Sequence, residues 1–216
     1  MRKQFQKTLN ELYQAFKEDV DAVEAVDYLL SKVNELPEIE AKSNALKEEF
    51  PLPNEVRNND DSFAVFSDGA CRGNPGPGSW GVMAQDKTGL VIFESSGVDL
   101  PTTNNRMELE GAIQGLVLLK DHLTELGVFN QAKVFLYSDS KYVVDGISKW
   151  VESWKKRGWK KADKKVPENI EQWKQLDTIN NEYTDLKFLW VKGHTGHPQN
   201  EHCDALANLA LDESGY

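Results

Sequence analysis

Phe63-Ala64-Val65-Phe66-Ser67-Asp68 and Val134-Phe135-Leu136-Tyr137-Ser138-Asp139 are two apolar runs that each end on a serine followed by an aspartate. Short, nearly continuous apolar runs of this kind read as strands buried on both faces. A carboxylate at the same relative place on two separate strands points to ends that meet around something. Clustered carboxylates repel one another unless cations lie between them, so the pattern suggests a divalent-metal site.

Outward from these runs, 80–85, 90–98 and 186–191 read as further strands, and the turn-rich Gly69-Ala70-Cys71-Arg72-Gly73-Asn74-Pro75-Gly76-Pro77-Gly78-Ser79 joins the first pair. Met107, Leu109, Ile113, Leu116, Val117 and Leu119 give one apolar face to a helix that Thr103 or Asn104 can cap. Helical patterns also cover 140–157, 167–181 and 200–212, with Gly158 as an interruption and Pro167 suited to a first turn. Three sequential strands followed by alternating helix and strand imply an α/β fold: a five-stranded mixed sheet with helices on both faces.

Ahead of this region, Phe5, Leu9, Leu12, Phe16, Val20 and Val23, then Val26, Leu29, Leu30 and Val33, recur at helical spacing. Asp21 and Glu24 suit a capping box between two such helices, and a third weak helix is expected through Ile39, Leu46 and Phe50. Residues 51–61 carry prolines, asparagines and adjacent acids and read as a linker. The expected organisation is a helical extension over 1–50, a linker over 51–61 and the main domain over 62–213.

The chain has 216 residues, 39% hydrophobic and 28% charged, with a net charge of −10. That length buries a full core, and that charge argues against coating nucleic acid through bulk positive potential. The distribution is uneven: Lys155-Lys156-Arg157-Gly158-Trp159-Lys160-Lys161-Ala162-Asp163-Lys164-Lys165 sets one acid among seven bases. Trp150, Trp154 and Trp159 interleave with it, a mixture suited to phosphate and base contact, while the spacing of Trp150 and Trp154 also fits the packed face of a helix. The start of the chain has charges but no following apolar run, so a soluble, cytoplasmic protein is expected, with Cys71 and Cys203 as free thiols.

Glu108, in the first turn of its helix, and Asp204, in the last helix, add two more carboxylates to Asp68 and Asp139. Singly, each has an ordinary explanation as a cap, a dipole partner, a turn former or a solvated face. Together they make a donor set for Mg²⁺, which takes hard oxygen ligands. His194, between Gly193 and Gly196, suits a mobile proton carrier. The neighbouring His197, His202 and Cys203 lack the paired spacing of a structural zinc site. The glycine-rich turn lacks the lysine-serine ending of a P-loop; it serves either as a plain hairpin connection or to bring backbone amides against a nucleic-acid strand.

Ser67-Asp68-Gly69 through Gly78, Thr102-Thr103-Asn104-Asn105-Arg106-Met107-Glu108-Leu109, Ser138-Asp139-Ser140, 154–165 and Val191-Lys192-Gly193-His194 through Asp204 together resemble type 1 ribonuclease H, especially the bacterial enzymes, over about 62–213. The resemblance implies the ribonuclease H-like three-layer fold and cleavage of the RNA strand of an RNA/DNA hybrid, leaving 5′-phosphate and 3′-hydroxyl ends. It implies that Asp68, Glu108, Asp139 and Asp204 ligate two Mg²⁺, with Mn²⁺ as a substitute, and that His194 assists proton transfer or product release. It further implies that Asn74 and Asn105 lie near RNA 2′-hydroxyls and that Thr103 and Asn104 grip the DNA strand. The segment containing Lys155, Lys156, Arg157, Lys160 and Lys161 resembles the basic protrusion that holds DNA.

The acidic first sixty residues differ from the basic hybrid-binding module of some relatives, so a protein partner is expected there, on a monomeric chain. Two alternatives are a DNA nuclease or strand-transfer enzyme of the same fold, and a non-catalytic hybrid binder. The His194 loop and basic segment oppose the first, and the complete acidic set opposes the second.

Overall fold

The computed structural model describes residues 2–17, 19–35, 50–193 and 196–216. The chain divides into two compact units, Met1–Ala45 and Leu46–Tyr216. In the first, α1 (Arg2–Ala15) and α2 (Val20–Glu35) form a helical pair around Leu9 and Val26. The turn between them is capped differently from the expected Asp21 and Glu24 box: Asp19 Oδ1 accepts from the amide of Ala22 at 3.1 Å, and Asp21 lies inside the helix. A short polar side chain just outside the helix satisfies one of its orphan amides. Of the third helix expected through Ile39, Leu46 and Phe50, all but Phe50 falls outside the described residues, and Phe50 itself lies in a bend.

The described part of the second unit opens with a strap, 50–61; the sequence led us to expect a linker over 51–61 and to place Phe50 in the helical extension. It contains a single helical turn, α3 (Asn54–Arg57), and is packed rather than free: Phe50 and Val56 are buried with Ala64, Phe66, Met83 and Tyr137. Ser62 Oγ donates to the carbonyls of Val56 and Asn59, which fixes the strap to the start of the sheet.

The sheet follows as β1 (Ser62–Cys71), β2 (Gly76–Asp86), β3 (Val91–Thr102), β4 (Lys133–Ser138) and β5 (Asp185–Trp190), in the spatial order β3-β2-β1-β4-β5. β1 pairs antiparallel with β2 and parallel with β4, so the five-stranded mixed sheet is as expected. Both faces are covered, which explains the continuous apolar runs: Val65 and Leu136 enter one core with α4 (Asn104–Glu125), and Phe66 and Tyr137 enter the other. Phe66 stands opposite Tyr137 in the parallel register, two residues before each aspartate, so both aspartates stand at one level of the sheet.

The glycine-rich turn is mostly strand. Pairing from Gly69 opposite Trp80 to Cys71 opposite Gly78 carries the hairpin on, and the amide of Arg72 reaches the Pro77 carbonyl at 2.8 Å. Cross-strand hydrogen bonding overrides the breaker signal of glycine and proline here. The helix expected over 140–157 is three pieces: α5 (Lys141–Asp145), a π-helical turn (Gly146–Trp150) and α6 (Val151–Lys156). After it, α7 (Ile170–Glu182) starts later than Pro167 because Asn169, at φ 56°, is left-handed and stops helix extension upstream. The last helix, α8 (Pro198–Glu213), lies against β1 and β2 on the strap side.

Candidate active site

Asp68 lies inside β1, Asp139 directly after β4, and Glu108 in the second turn of α4. One oxygen from each lies within 4.8 Å of the others. The approach of α4 to β1 requires Gly69: a Cβ there would stand 2.4 Å from the Glu108 amide nitrogen. Gly81, paired with Asp68 across the hairpin, plays the same part for α8, since a Cβ on it would come within 2.1 Å of the Cys203 carbonyl oxygen. Two glycines thus let two helices bring acids against one strand.

Burial, followed by the neighbouring Asp139 carboxylate, pushes the Asp68 carboxyl up to about 8, against one lowering contact from the Gly69 amide at 2.7 Å. Glu108 is also raised well above the carboxylate range, first by burial and then by Asp68 and Asp139. Asn104 Nδ2 donates to Glu108 Oε1 at 3.3 Å, but Glu108 Oε2 is buried without a hydrogen-bond partner among the described residues. An unsatisfied oxygen within a carboxylate group is costly. A hard divalent cation is the ligand whose charge and oxygen preference remove that cost, so the donor set fits one.

Asp204 is outside this group of three. Its Oδ1 accepts from Asn208 Nδ2 at 2.8 Å, although its charge still raises Asp68. His194 falls outside the described residues. Two asparagines that the sequence reading missed hold the carboxylates: Asn200 Nδ2 donates to Asp68 Oδ2 at 3.3 Å, and Asn208 holds Asp204. Asn200, Asp204 and Asn208 repeat every four residues on α8, and that one-face spacing was the available signal.

Asn74 is exposed in the β1–β2 turn, and its Oδ1 accepts from the Asn104 amide at 3.4 Å. Thr103 occupies the N-cap position of α4 but makes no side-chain cap, so its hydroxyl is not spent on the helix. Asn105 is exposed two residues further on. Trp154, expected at a nucleic-acid face, is a core residue whose ring meets Trp173 at 5.6 Å, edge-on. Trp159 packs partly buried on the same cluster, whereas Trp150 is the most exposed of the three. Lys155 is turned onto Asp177 at 2.9 Å and Lys156 onto Glu152 at 3.3 Å. Arg157 Nε donates to the Lys160 carbonyl at 3.2 Å, and its guanidinium also meets Ser153. Lys160, Lys161 and Lys164 have no ion pair among the described residues, which leaves their charge outward.

The sequence profile of the RNase H family matches residues 60–212. The chain belongs to the ribonuclease H family. A ribonuclease H from Pseudomonas putida is 48% identical over 153 residues, covering 71% of this chain and 95% of that protein. Among solved structures, LC9-RNase H1, described as a type 1 RNase H with the type 2 active-site motif, aligns with 31% identity and a TM-score of 0.61 over 71% of this chain and 73% of its own. LC11-RNase H1, solved in complex with an RNA/DNA hybrid, aligns with 28% identity and a TM-score of 0.53 over 70% of this chain and 98% of its own. This chain is therefore a type 1, bacterial-type ribonuclease H, with its acidic group gathered from β1, α4 and the end of β4. The ribonuclease H match begins at residue 60, so α1, α2 and all but the end of the strap lie outside it.

Proposed function

We propose that the domain over 62–213 is an endonuclease that hydrolyses the RNA strand of RNA/DNA hybrids, leaving 5′-phosphate and 3′-hydroxyl ends. The carrying observation is the convergence of Asp68, Glu108 and Asp139 in a ribonuclease H fold, with one Glu108 oxygen buried and unsatisfied. Two Mg²⁺, replaceable by Mn²⁺, would be held by these three carboxylates and Asp204; when bound they supply a neutralised phosphate and a water activated near neutral pH.

The protein's own groups do the rest. Asp68 and Glu108 must give up protons to bind, and their burial keeps competing water out. Asn74, exposed in the β1–β2 turn, and Asn105, exposed in the first turn of α4, suit 2′-hydroxyl recognition, the feature that separates RNA from DNA. The free Thr103 hydroxyl suits a DNA phosphate, and Asn104 serves chiefly to hold Glu108. His194 would move a proton at the leaving 3′ oxygen or speed product departure. Lys160 and Lys161 would hold the DNA backbone, with Trp150 beside them. The acidic N-terminal helices suit a protein partner better than the hybrid, and we take the chain to work as a cytoplasmic monomer. No helix among the described residues is long and apolar enough to cross a membrane.

The test supplies Mg²⁺ with labelled hybrid, duplex DNA and duplex RNA, using Asp139→Asn as control. Selective cleavage of the hybrid's RNA strand, lost in the variant, is the expected result. Comparable cleavage of duplex DNA, or full activity in Asp139→Asn, would overturn the reading.

A further inference from the structure

The strap ahead of β1 does more than cover the sheet. Its first two carbonyls are accepted into a buried amide network: Gln85 Nε2 donates to the Phe50 carbonyl at 3.1 Å, and Gln199 Nε2 donates to the Pro51 carbonyl at 2.8 Å. Gln199 Nε2 also reaches Gln85 Oε1 at 3.1 Å, and both glutamines are almost wholly buried. Each amide in such a dry network has one orientation that satisfies its partners, so the network fixes geometry as well as contributing energy. Gln199 lies in the first turn of α8. The next residue, Asn200, is 1% exposed and donates to Asp68 Oδ2.

A second contact fixes the same turn. The Phe50 ring packs on the His202 ring at 4.9 Å, and His202 Nε2 meets Glu94 Oε1 on β3 at 2.8 Å. The strap therefore holds α8 one residue before Asn200 and two residues after it, just ahead of Asp204. A small rotation of this turn would move the Asp68 partner and the Asp204 ligand together.

We propose that the strap is a positioning element of the carboxylate site, with Gln199 and Asn200 as its positioning residues. It acts from outside the region that the ribonuclease H family shares, through Pro51 to Gln199, Asn200 and Asp68. The inference rests on the metal-site reading above, and it extends that site to a segment that supplies none of its carboxylates. Groups that orient a metal ligand typically change metal affinity or turnover by about 10- to 100-fold when removed.

The experiment uses the full chain with Gln199→Met, which keeps length but removes both donors, and Phe50→Ala, which loosens the strap from the other side. Leu123→Ala, buried near the opposite end of α4 from Glu108, serves as a destabilised control away from the site. Mn²⁺ affinity is measured by calorimetry on metal-free protein, and kcat and KM on hybrid, all well below the melting temperature of the least stable variant. Both strap variants should lose Mn²⁺ affinity and kcat by about tenfold with KM unchanged, while Leu123→Ala keeps all three. Strap variants that lose stability yet bind Mn²⁺ like the parent chain would overturn the proposal and leave the strap as packing alone. If the parent binds Mn²⁺ but cleaves no hybrid, the functional reading fails, and the Mn²⁺ affinities still decide the positioning role.

Discussion

Asp68 holds its proton up to about pH 8 in the metal-free fold, while in the unfolded chain it releases it in the ordinary carboxylate range. Between those limits Asp68 binds a proton in the folded state that it has lost in the unfolded state, so its contribution to metal-free stability falls as pH rises from about 4 to about 8. Glu108 contributes in the same direction. A melting series in chelator should show that decline, and Mg²⁺ should raise the melting temperature more at the top of the window than at the bottom, because binding displaces the protons. Asp139→Asn removes the neighbouring charge that is the second cause of the Asp68 shift. That variant should melt higher than the parent without metal at the alkaline end, yet lose more activity than the about 10- to 100-fold expected for a group that only orients a ligand. Gly69→Ala should cost about 1–3 kcal/mol in denaturant titration, since its Cβ would press into the start of α4. The strand-end aspartates were legible because each closes an apolar run with the same serine-aspartate pair. Glu108 and Asp204 lack that repeated pair: each alone reads as an ordinary helix acid, and only the set of four, sharpened by the family resemblance, gave them a role. Asn200 was missed because its partner lies 132 residues away: the four-residue step on α8 marks a shared face with Asp204, and the contact with Asp68 appears only in the fold.

At the scale of elements, the segment around α6 divides its bases between structure and substrate. Lys155 and Lys156 are occupied by Asp177 and Glu152, while Lys160, Lys161 and Lys164 have no ion pair among the described residues. Replacing these three by alanine should raise KM for the hybrid and leave kcat alone. For every phosphate that the variant no longer grips, the salt slope of log kcat/KM should also shrink by about one, whereas Lys155→Ala should mainly loosen α6 from α7. An unchanged salt slope in the triple variant would remove this segment from the binding surface. Composition disclosed the segment as a basic patch, whereas of Trp150 and Trp154, spaced for a packed helix face, only Trp154 is in the core. The π-helical turn at Gly146–Trp150 was invisible, because a widened turn depends on how the large Trp173 ring fills the core beneath it. The long β1–β2 hairpin was hidden for a similar reason: its glycines and prolines resemble breaks until the partner strand supplies their hydrogen bonds.

For the whole molecule, the sequence led us to expect an acidic helical unit followed by an α/β domain, and it did not disclose that residues 50–61 pack on the sheet. The strap looked like a linker because only Phe50 and Val56 anchor it deeply, too few to make a periodic pattern, and because backbone carbonyls make its main polar attachments. Two shortened chains separate the roles of these regions. A chain beginning at Phe50 keeps the strap and should retain the stability of the sheet domain, with kcat and KM close to those of the full protein. Loss of hybrid affinity in that chain would instead make α1 and α2 part of the binding surface. A chain beginning at Asp61 loses two buried side chains, each contributing about 1.5–3 kcal/mol, partly offset by the entropy of the segment that no longer has to be ordered. Its melting temperature should fall on the order of 5–10 °C. Its kcat should fall as well, at temperatures where it is still folded, because Gln85 and Gln199 lose the carbonyls they hold and α8 is freed to turn beneath Asn200 and Asp204.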